Sequence, residues 1–281
     1  MYYYEPKTFK DASELLNKHQ DDAKLIGGGQ SMMILLRHKV IVPTHLISLK
    51  GIKEGSYIRE DGGVIRIGAL TTHRQLETSS LLREKLPVLT EVFKGIGSVQ
   101  VRNWGTIGGN LAHADPAGDL APLLIALGTK VRVISESASN EIPLESFING
   151  YLETELKPNE MLQEIIVPLP TANIGMAYEK EAVRAGDMAI ASAAALIELG
   201  PKGIKRAVVV VAAIGEMPMR VIPIEKALLG QVDNGELEIH VDFDQSIIRL
   251  DPYVSKEYKY EITKVILRNV IVAALDRAKQ S

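Results

Sequence analysis

The 281-residue chain contains no cysteine. That excludes disulfides, thiolate zinc sites and cysteine-ligated iron–sulfur clusters in this chain, and it fits a reducing compartment. A basic excess is also missing. Lys and Arg number 32 against 35 Asp and Glu, a formal net charge of -3, which argues against nucleic acid as the main partner. No apolar run approaches the roughly 20 residues needed to cross a bilayer. The N-terminal MYYYEPKTFK lacks the apolar core of a signal peptide, so the expectation is a soluble, cytoplasmic protein. The histidines (His19, His38, His45, His73, His113 and His240) fall in neither H-x-x-x-H nor H-E-x-x-H spacing, which leaves no expected metal centre. G-x-S-x-G is absent as well, removing the usual hydrolase elbow.

What is present is an ordinary globular composition, 46% hydrophobic and 24% charged, over a length that suggests two or three domains. Lys10 to His19 reads as a short amphipathic helix. Lys24–Ile26 is a brief strand that runs into Gly27-Gly28-Gly29-Gln30-Ser31 and the apolar Met32 to Leu36. Strand, glycine turn and helix in that order place backbone N–H groups where an anion is favoured. No lysine follows as in a P-loop, and Met32 stands where G-x-G-x-x-G needs its third glycine, so this segment alone reads more readily as a tight strand-to-helix turn than as a ligand site. Strands are expected at His45–Leu49, Val64–Leu70, Lys130–Ile134 and Leu162–Val167. Thr71 or Thr72 caps a helix, and Leu86–Ile96 and Leu120–Leu127 read as helices. Pro168-Leu169-Pro170 is the strongest breaker. Beyond it lie apolar β-rich stretches at Ala189–Leu199 and Ala207–Ile214, a short helix at Ile224–Leu229 and a long terminal helix over Tyr258–Ala278.

Between these segments lies Val99 to Asp119, VQVRNWGTIGGNLAHADPAGD, which has neither a helical nor an alternating apolar period. It reads either as a glycine loop that cradles a phosphate, since successive N–H groups there form anion-binding nests, or as a turn-rich connection. One cofactor with two linked phosphates, held from two sides by backbone donors and helix dipoles, accounts for both glycine segments. Asp115 and Asp119 have the look of a carboxylate pair, but a turn-stabilising Asp before proline and a helix N-cap explain them equally well. Tyr151 and Tyr178 could each stack on a conjugated ring, and Lys180 could meet an oxygen on one.

Gly28-Gly29-Gln30-Ser31-Met32 resembles the motif A-G-G-x-S-L, with Gly27 for its alanine and Met32 for its leucine. Residues 100–110, Gln-Val-Arg-Asn-Trp-Gly-Thr-Ile-Gly-Gly-Asn, resemble a second motif closely, and Ala114 to Pro122, Gly150-Tyr151 and Tyr178 to Asp187 continue the likeness. The chain is thereby similar, over essentially its whole length, to the FAD-binding medium subunit of molybdenum hydroxylases, the group of carbon monoxide and xanthine dehydrogenases and aldehyde oxidoreductases.

This resemblance implies an α+β protein. A two-lobed FAD-binding domain of the vanillyl-alcohol-oxidase-like type would occupy residues 1–170, with lobes of about 1–55 and 56–170. A C-terminal α/β domain with a three-stranded sheet and helices would follow at 171–281. It implies FAD contacts at Gly27, Gly28, Gly29, Gln30, Ser31 and Met32 on one side and at Thr106, Ile107, Gly108, Gly109 and Asn110 on the other. Asp115, Asp119, Tyr151 and Lys180 would lie toward the ribityl chain or the ring. No catalytic acid or base is implied, because the flavin carries the redox chemistry. The implied partners are a large molybdenum-cofactor subunit and a small subunit with two [2Fe–2S] clusters, in a heterotrimer that oxidises an aldehyde and passes electrons through this chain to an external acceptor. The alternative is a free-standing flavin-dependent oxidase or dehydrogenase of the same superfamily.

Overall fold

A computed structural model describes residues 1–231 and 239–281. The chain forms two compact units, Met1–Ala114 with Thr129–Pro168, and Asp115–Gly128 with Leu169–Ser281. The proline pair marks the last crossing between them. The earlier excursion of Asp115–Gly128 into the second unit carries no composition change that a sequence reading could use.

The first unit opens with β1 (Tyr2–Tyr4), α1 (Phe9–His19), β2 (Ala23–Ile26), α2 (Met32–Arg37) and β3 (His45–Ser48). The three strands form a parallel sheet in the order β1-β3-β2. Thr8 caps α1 by accepting from the Asp11 backbone N–H, and Phe9, Ala12 and Leu16 bury the helix face against Ile47, Leu49 and Ile52. A second sheet follows, built from β4 (Ile58–Asp61), β5 (Val64–Gly68), β6 (Lys130–Ile134), β7 (Ser139–Pro143) and, beyond a small hairpin, a long strand at Met161–Pro168. Helices α3 (His73–Glu77), α4 (Ser80–Lys85), α5 (Pro87–Lys94), α6 (Val99–Trp104) and α7 (Ile107–His113) stand between β5 and β6 in sequence, with α8 (Leu120–Ala126) after them. Helix α9 (Leu144–Phe147) leads into the hairpin of β8 (Ile148–Gly150) and β9 (Glu153–Thr154), so the long strand is β10.

All pairings in this sheet are antiparallel, in the order β4-β5-β10-β6-β7. Its centre holds a buried carboxylate. Glu164 on β10 accepts from Tyr57 Oη at 2.7 Å, from Arg66 at 2.8 Å and from Arg132 at 2.9 Å. Burial and the Glu164 carboxylate together push the Tyr57 hydroxyl up to about 12. A lone buried carboxylate would cost several kcal/mol, so these partners explain why an apparently misplaced charge is tolerated in a central strand.

In the second unit β11 (Ile174–Glu181), β12 (Ala191–Gly200), β13 (Gly203–Ala212) and the two-residue β14 (Met219–Arg220) form an antiparallel sheet in that order, three long strands with a short fourth at the edge. Helix α10 (Ile222–Leu228) and the terminal α11 (Lys256–Gln280) complete it. Ala193, Ala195, Ile197, Val209 and Val211 pack against Ile266, Val270, Ile271 and Ala274 of α11. The alternate residues Ala194, Leu196, Val208 and Val210 are also buried, on the side where α8 packs against β12 and β13. A strand covered on both faces reads as a continuous apolar run, which is the pattern of 191–197 and 207–212. Small side chains let the helix approach closely. At Gly175 a Cβ would overlap the Ala274 carbonyl oxygen and the Ala278 nitrogen of α11. Gly175→Ala is therefore expected to lower the unfolding free energy by ~1–3 kcal/mol, the usual cost of overpacking, with the loss read as a reduced midpoint in urea.

Candidate flavin site

The first glycine segment leaves β2 and turns at Gly29, whose φ of +76° is open to glycine at little cost. Gln30 folds back so that its side-chain amide donates to the Gly28 carbonyl at 3.1 Å. The Gly29 and Ser31 carbonyls accept the first bonds of α2, from Met33 at 3.0 Å and Leu35 at 3.1 Å. Ser31 holds the N-cap position without a side-chain capping bond. Among the described residues, the backbone N–H groups of Gly28, Gly29, Gln30 and Ser31 meet no acceptor. Four neighbouring donors are thus available in one turn.

The stretch Val99 to Asp119 is not a loop. It holds α6 and α7, separated only by Gly105 and Thr106. At six and seven residues they are too short to show a period in a sequence window, and each depends on its cap. Ser98 accepts from Val101 at 3.3 Å and Thr106 from Gly109 at 3.1 Å. Arg102 anchors α6 through a buried ion pair with Glu77 at 2.9 Å and through bonds to the carbonyls of Ile96 and Gly97, both at 3.0 Å. The break between the helices pairs with residues 71–73: His73 donates to Gly105 at 2.9 Å and Ile107 to Thr71 at 3.0 Å. Gly108 donates to Ala69 at 2.9 Å, and a Cβ on Gly108 would lie 2.6 Å from that of Ala69.

The N-terminal donors of α7 are therefore already used, by Thr71, Ala69 and the Thr106 side chain. The expectation that both glycine segments offer backbone donors holds only for the first. The second contributes shape and a hydroxyl instead. The two segments touch: a Cβ on Gly28 would overlap the Trp104 carbonyl and lie 2.8 Å from the Gly105 Cα. Around that contact, Cβ atoms on Gly27 and Gly109 would lie 3.0 and 2.9 Å from the same atom, Thr106 Oγ1. Gly109 is exposed and has no other neighbour there within 4 Å. Glycine inside a helix is less stable than alanine by about 1 kcal/mol, and intramolecular packing against a hydroxyl alone gives little reason to bear that. A ligand approaching the backbone gives one. Asn110 follows on the same helix, half-buried.

The remaining candidates are distributed differently. Tyr151 is exposed at the turn of the β8–β9 hairpin in the first unit. Asp115 makes the expected turn in the second, its Oδ1 accepting from Ala117 at 2.9 Å and its carbonyl from Gly118 at 2.9 Å. Asp119 stands at the N-cap of α8 but makes no side-chain capping bond there, a correction to the capping reading. Its buried carboxylate instead accepts from Tyr178 Oη at 2.8 Å and Lys180 Nζ at 2.7 Å, and Lys180 also donates to the Asp187 carbonyl at 3.0 Å. Burial raises the Asp119 carboxyl, and Lys180 and Tyr178 oppose that shift. Burial and the Asp119 charge push the Tyr178 hydroxyl well above its ordinary range. Sequence spacing gave no reason to join Asp119, at the start of α8, to Tyr178 and Lys180 on strand β11, about sixty residues further on. Among the described residues, no group of three or more His, Asp or Glu could hold a metal ion, and no helix is long and apolar enough to cross a membrane.

Two family models match the chain: the FAD binding domain in molybdopterin dehydrogenase over residues 1–170, and the CO dehydrogenase flavoprotein C-terminal domain over residues 176–274. The carbon monoxide dehydrogenase medium chain of Afipia carboxidovorans is 31% identical over 99% of this chain and 97% of its own. The caffeine dehydrogenase subunit beta of a Pseudomonas species is 29% identical over 98% and 95%. A solved structure of carbon monoxide dehydrogenase from Hydrogenophaga pseudoflava superposes with a TM-score of 0.93 at 31% identity, covering 99% of this chain and 98% of that one.

His73, beneath Gly105, was given no role by its spacing. It is buried against Phe93 with its Nδ1 unpartnered, and burial, helped by the Arg102 charge, pushes the imidazole down to about 4. The unfolded chain takes up this proton near 6.5 and the folded chain does not. The histidine therefore costs the fold nothing above that pH and a growing amount as pH falls toward 4, up to ~3 kcal/mol. His73→Leu should flatten the fall in urea midpoint between pH 6.5 and 4 relative to the parent, leaving the two equally pH-dependent above 7.

Proposed function

The chain belongs to the family of FAD-binding medium subunits of molybdopterin dehydrogenases, and from that premise we propose how it holds the cofactor and what it does with it. The observation that carries the reading is the convergence of Gly27, Gly109 and Thr106 Oγ1 beside four free backbone donors. The donors of Gly28, Gly29, Gln30 and Ser31 meet one phosphate, with Met32 closing that side. The Thr106 hydroxyl and Asn110 meet the other side of the pyrophosphate, while Ile107 and Gly108 hold α7 in place behind them. Backbone dipoles fixed in this way bind an anion without a lysine, and the lack of basic residues at 27–32 and 105–110 accords with that.

Bound FAD supplies the redox chemistry, accepting and releasing electrons at its ring. Asp119 and Lys180, fixed with Tyr178, and with them Asp115 and Tyr151, serve the ribityl and ring end. The Asp119 carboxyl group accepts from Lys180 and so holds that ammonium in one orientation. The chain has no cysteine to ligate a cluster of its own, so electrons reach it from a small [2Fe–2S] subunit and leave to an external acceptor, in a cytoplasmic heterotrimer whose large subunit carries the molybdenum cofactor. Residues 1–170 form the flavin domain and 171–281 the C-terminal domain. The substrate is chosen on another chain. Relatives named for carbon monoxide and for caffeine are almost equally similar to this one, and an aldehyde is our choice among such substrates.

Two measurements test this. The protein purified from its native source should show a flavin spectrum overlaid by iron–sulfur absorption and contain two further polypeptides; FAD on a single polypeptide would favour a free-standing flavoenzyme. Gly109→Val should lose FAD while keeping the fold, because a Cβ at this exposed position meets only the Thr106 hydroxyl within the chain. Stoichiometric FAD in that variant, with an unchanged circular dichroism spectrum, would remove the second segment from the site.

A further inference from the structure

The strands that deliver the first glycine segment also deliver a cation beside it. Strands β2 and β3 run parallel in a register that pairs Ile26 with Ser48. Gly28 and Lys50 each follow two residues later. Both therefore leave the carboxyl end of the sheet, the end at which ligands bind in open parallel sheets. The backbone under Lys50 is fixed. Ile52 donates to the Leu49 carbonyl at 3.0 Å, and Leu49 and Ile52 are both buried. A Cβ on Gly51 would lie 2.8 Å from the Pro6 carbonyl oxygen. The Lys50 side chain itself is exposed.

Its ammonium nevertheless has a defined place. Lys50 Nζ stands 4.4 Å from the ring centroid of Trp104, the residue whose carbonyl makes the close contact with Gly28. Strand register and ring contact thus independently bring the ammonium to the wall of the turn that carries the four free donors. Tryptophan is a well-covered residue in most proteins, yet Trp104 is 52% exposed. Packing within the chain gives little reason for so large a ring in water, and carrying a cation gives one. Among the described residues the Lys50 ammonium meets no carboxylate, and no Asp or Glu occurs from Ala23 to Lys53. An exposed cation on an indole is a weak contact. It orients the lysine without neutralising it.

We propose that Lys50 binds the FAD pyrophosphate, at a phosphate oxygen that the donors of Gly28 to Ser31 leave over, and that Trp104 positions its ammonium. This deepens the function proposed above and rests on it. Backbone N–H groups fix where a phosphate sits but carry only partial charge. An ammonium adds a full charge, with donors that rotate to suit the oxygen. The indole restrains a long side chain in advance, which lowers the ordering cost of that bond. The anion site is thereby completed from outside the two glycine segments.

Trp104 is the single tryptophan of the chain, so indole fluorescence reports this place alone. The test titrates the FAD-depleted full chain, over a range of salt, with FAD, with ADP as a pyrophosphate probe that carries no flavin, and with riboflavin as the phosphate-free control. Lys50→Met should raise the Kd for FAD and ADP about tenfold or more, the loss expected for one charge-assisted hydrogen bond. It should also flatten the salt dependence and leave riboflavin unchanged. Lys50→Arg should restore most of the loss, and Lys53→Met, which removes a neighbouring cation, should bind as the parent. Trp104→Leu, read by flavin fluorescence, should weaken FAD by a smaller factor, and should add nothing in the Lys50→Met background.

Parent affinity and parent salt dependence in Lys50→Met would overturn the proposal and leave the flavin function standing. An equal loss of riboflavin, or no recovery in Lys50→Arg, would reduce Lys50 to a structural role. An equal effect of Lys53→Met would reduce it to part of a diffuse field. Each of these also overturns the proposal, and an undiminished effect of Trp104→Leu in the Lys50→Met background would overturn the part given to the indole. A parent chain that binds neither FAD nor ADP would overturn both readings.

Discussion

The first unit depends on a backbone-to-backbone contact, Gly28 against the Trp104 carbonyl and Gly105. Two segments far apart in sequence can approach so closely only if neither carries a side chain at the point of contact. That is a steric condition on glycine, separate from the left-handed turn that Gly29 supplies one residue later. The second partner in the contact has to be held rigid. Arg102, ion-paired to Glu77 and bonded to two carbonyls, fixes the end of α6, while the pairing of 105–107 with 71–73 fixes the turn. The arginine in the second motif is thus a strut and its outer glycine a surface.

This division explains why the two glycine segments are not equivalent. A helix N-terminus has orphan donors that a ligand or the protein can satisfy. In α7 the protein has satisfied them, which positions the helix to within a hydrogen bond of β5 and leaves Thr106 as the polar group that faces Gly27. In the first segment the donors are left over, because Gly29 and Ser31 give their carbonyls to α2 and receive nothing in return. One segment is built to be stiff and the other to be unsatisfied, and an anion site needs both: fixed geometry from the first property and binding energy from the second.

Much of this was legible in the sequence. Strands β2 and β3, the terminal helix and the apolar run of β12 and β13 followed from period and length, and the glycine motifs carried the family, whereas β1 and the parallel pairing did not. The two helices inside Val99–Asp119 were hidden because six or seven residues cannot display a period, although Ser98 and Thr106, each three residues before the N–H they cap, were there to be read. Asp119 looked like a cap because it precedes an apolar helix; only strand β11, which brings Tyr178 and Lys180 to it, shows that its carboxylate is used elsewhere. Glu164 broke an apolar strand without local compensation, and its arginines come from β5 and β6. The partners of Asp119 and Glu164 stayed hidden because they are non-local, supplied by elements that no single window contains.

The exposed apolar side chains of α2 follow from the same economy. Turning the helix inward would have buried Met33 and Ile34, but it would also have moved Gly29 and Ser31, whose carbonyls start the helix, and with them the free donors of the loop. The short length and the left-handed closure at Lys39 keep α2 as a rigid extension of the loop instead of an element of the core.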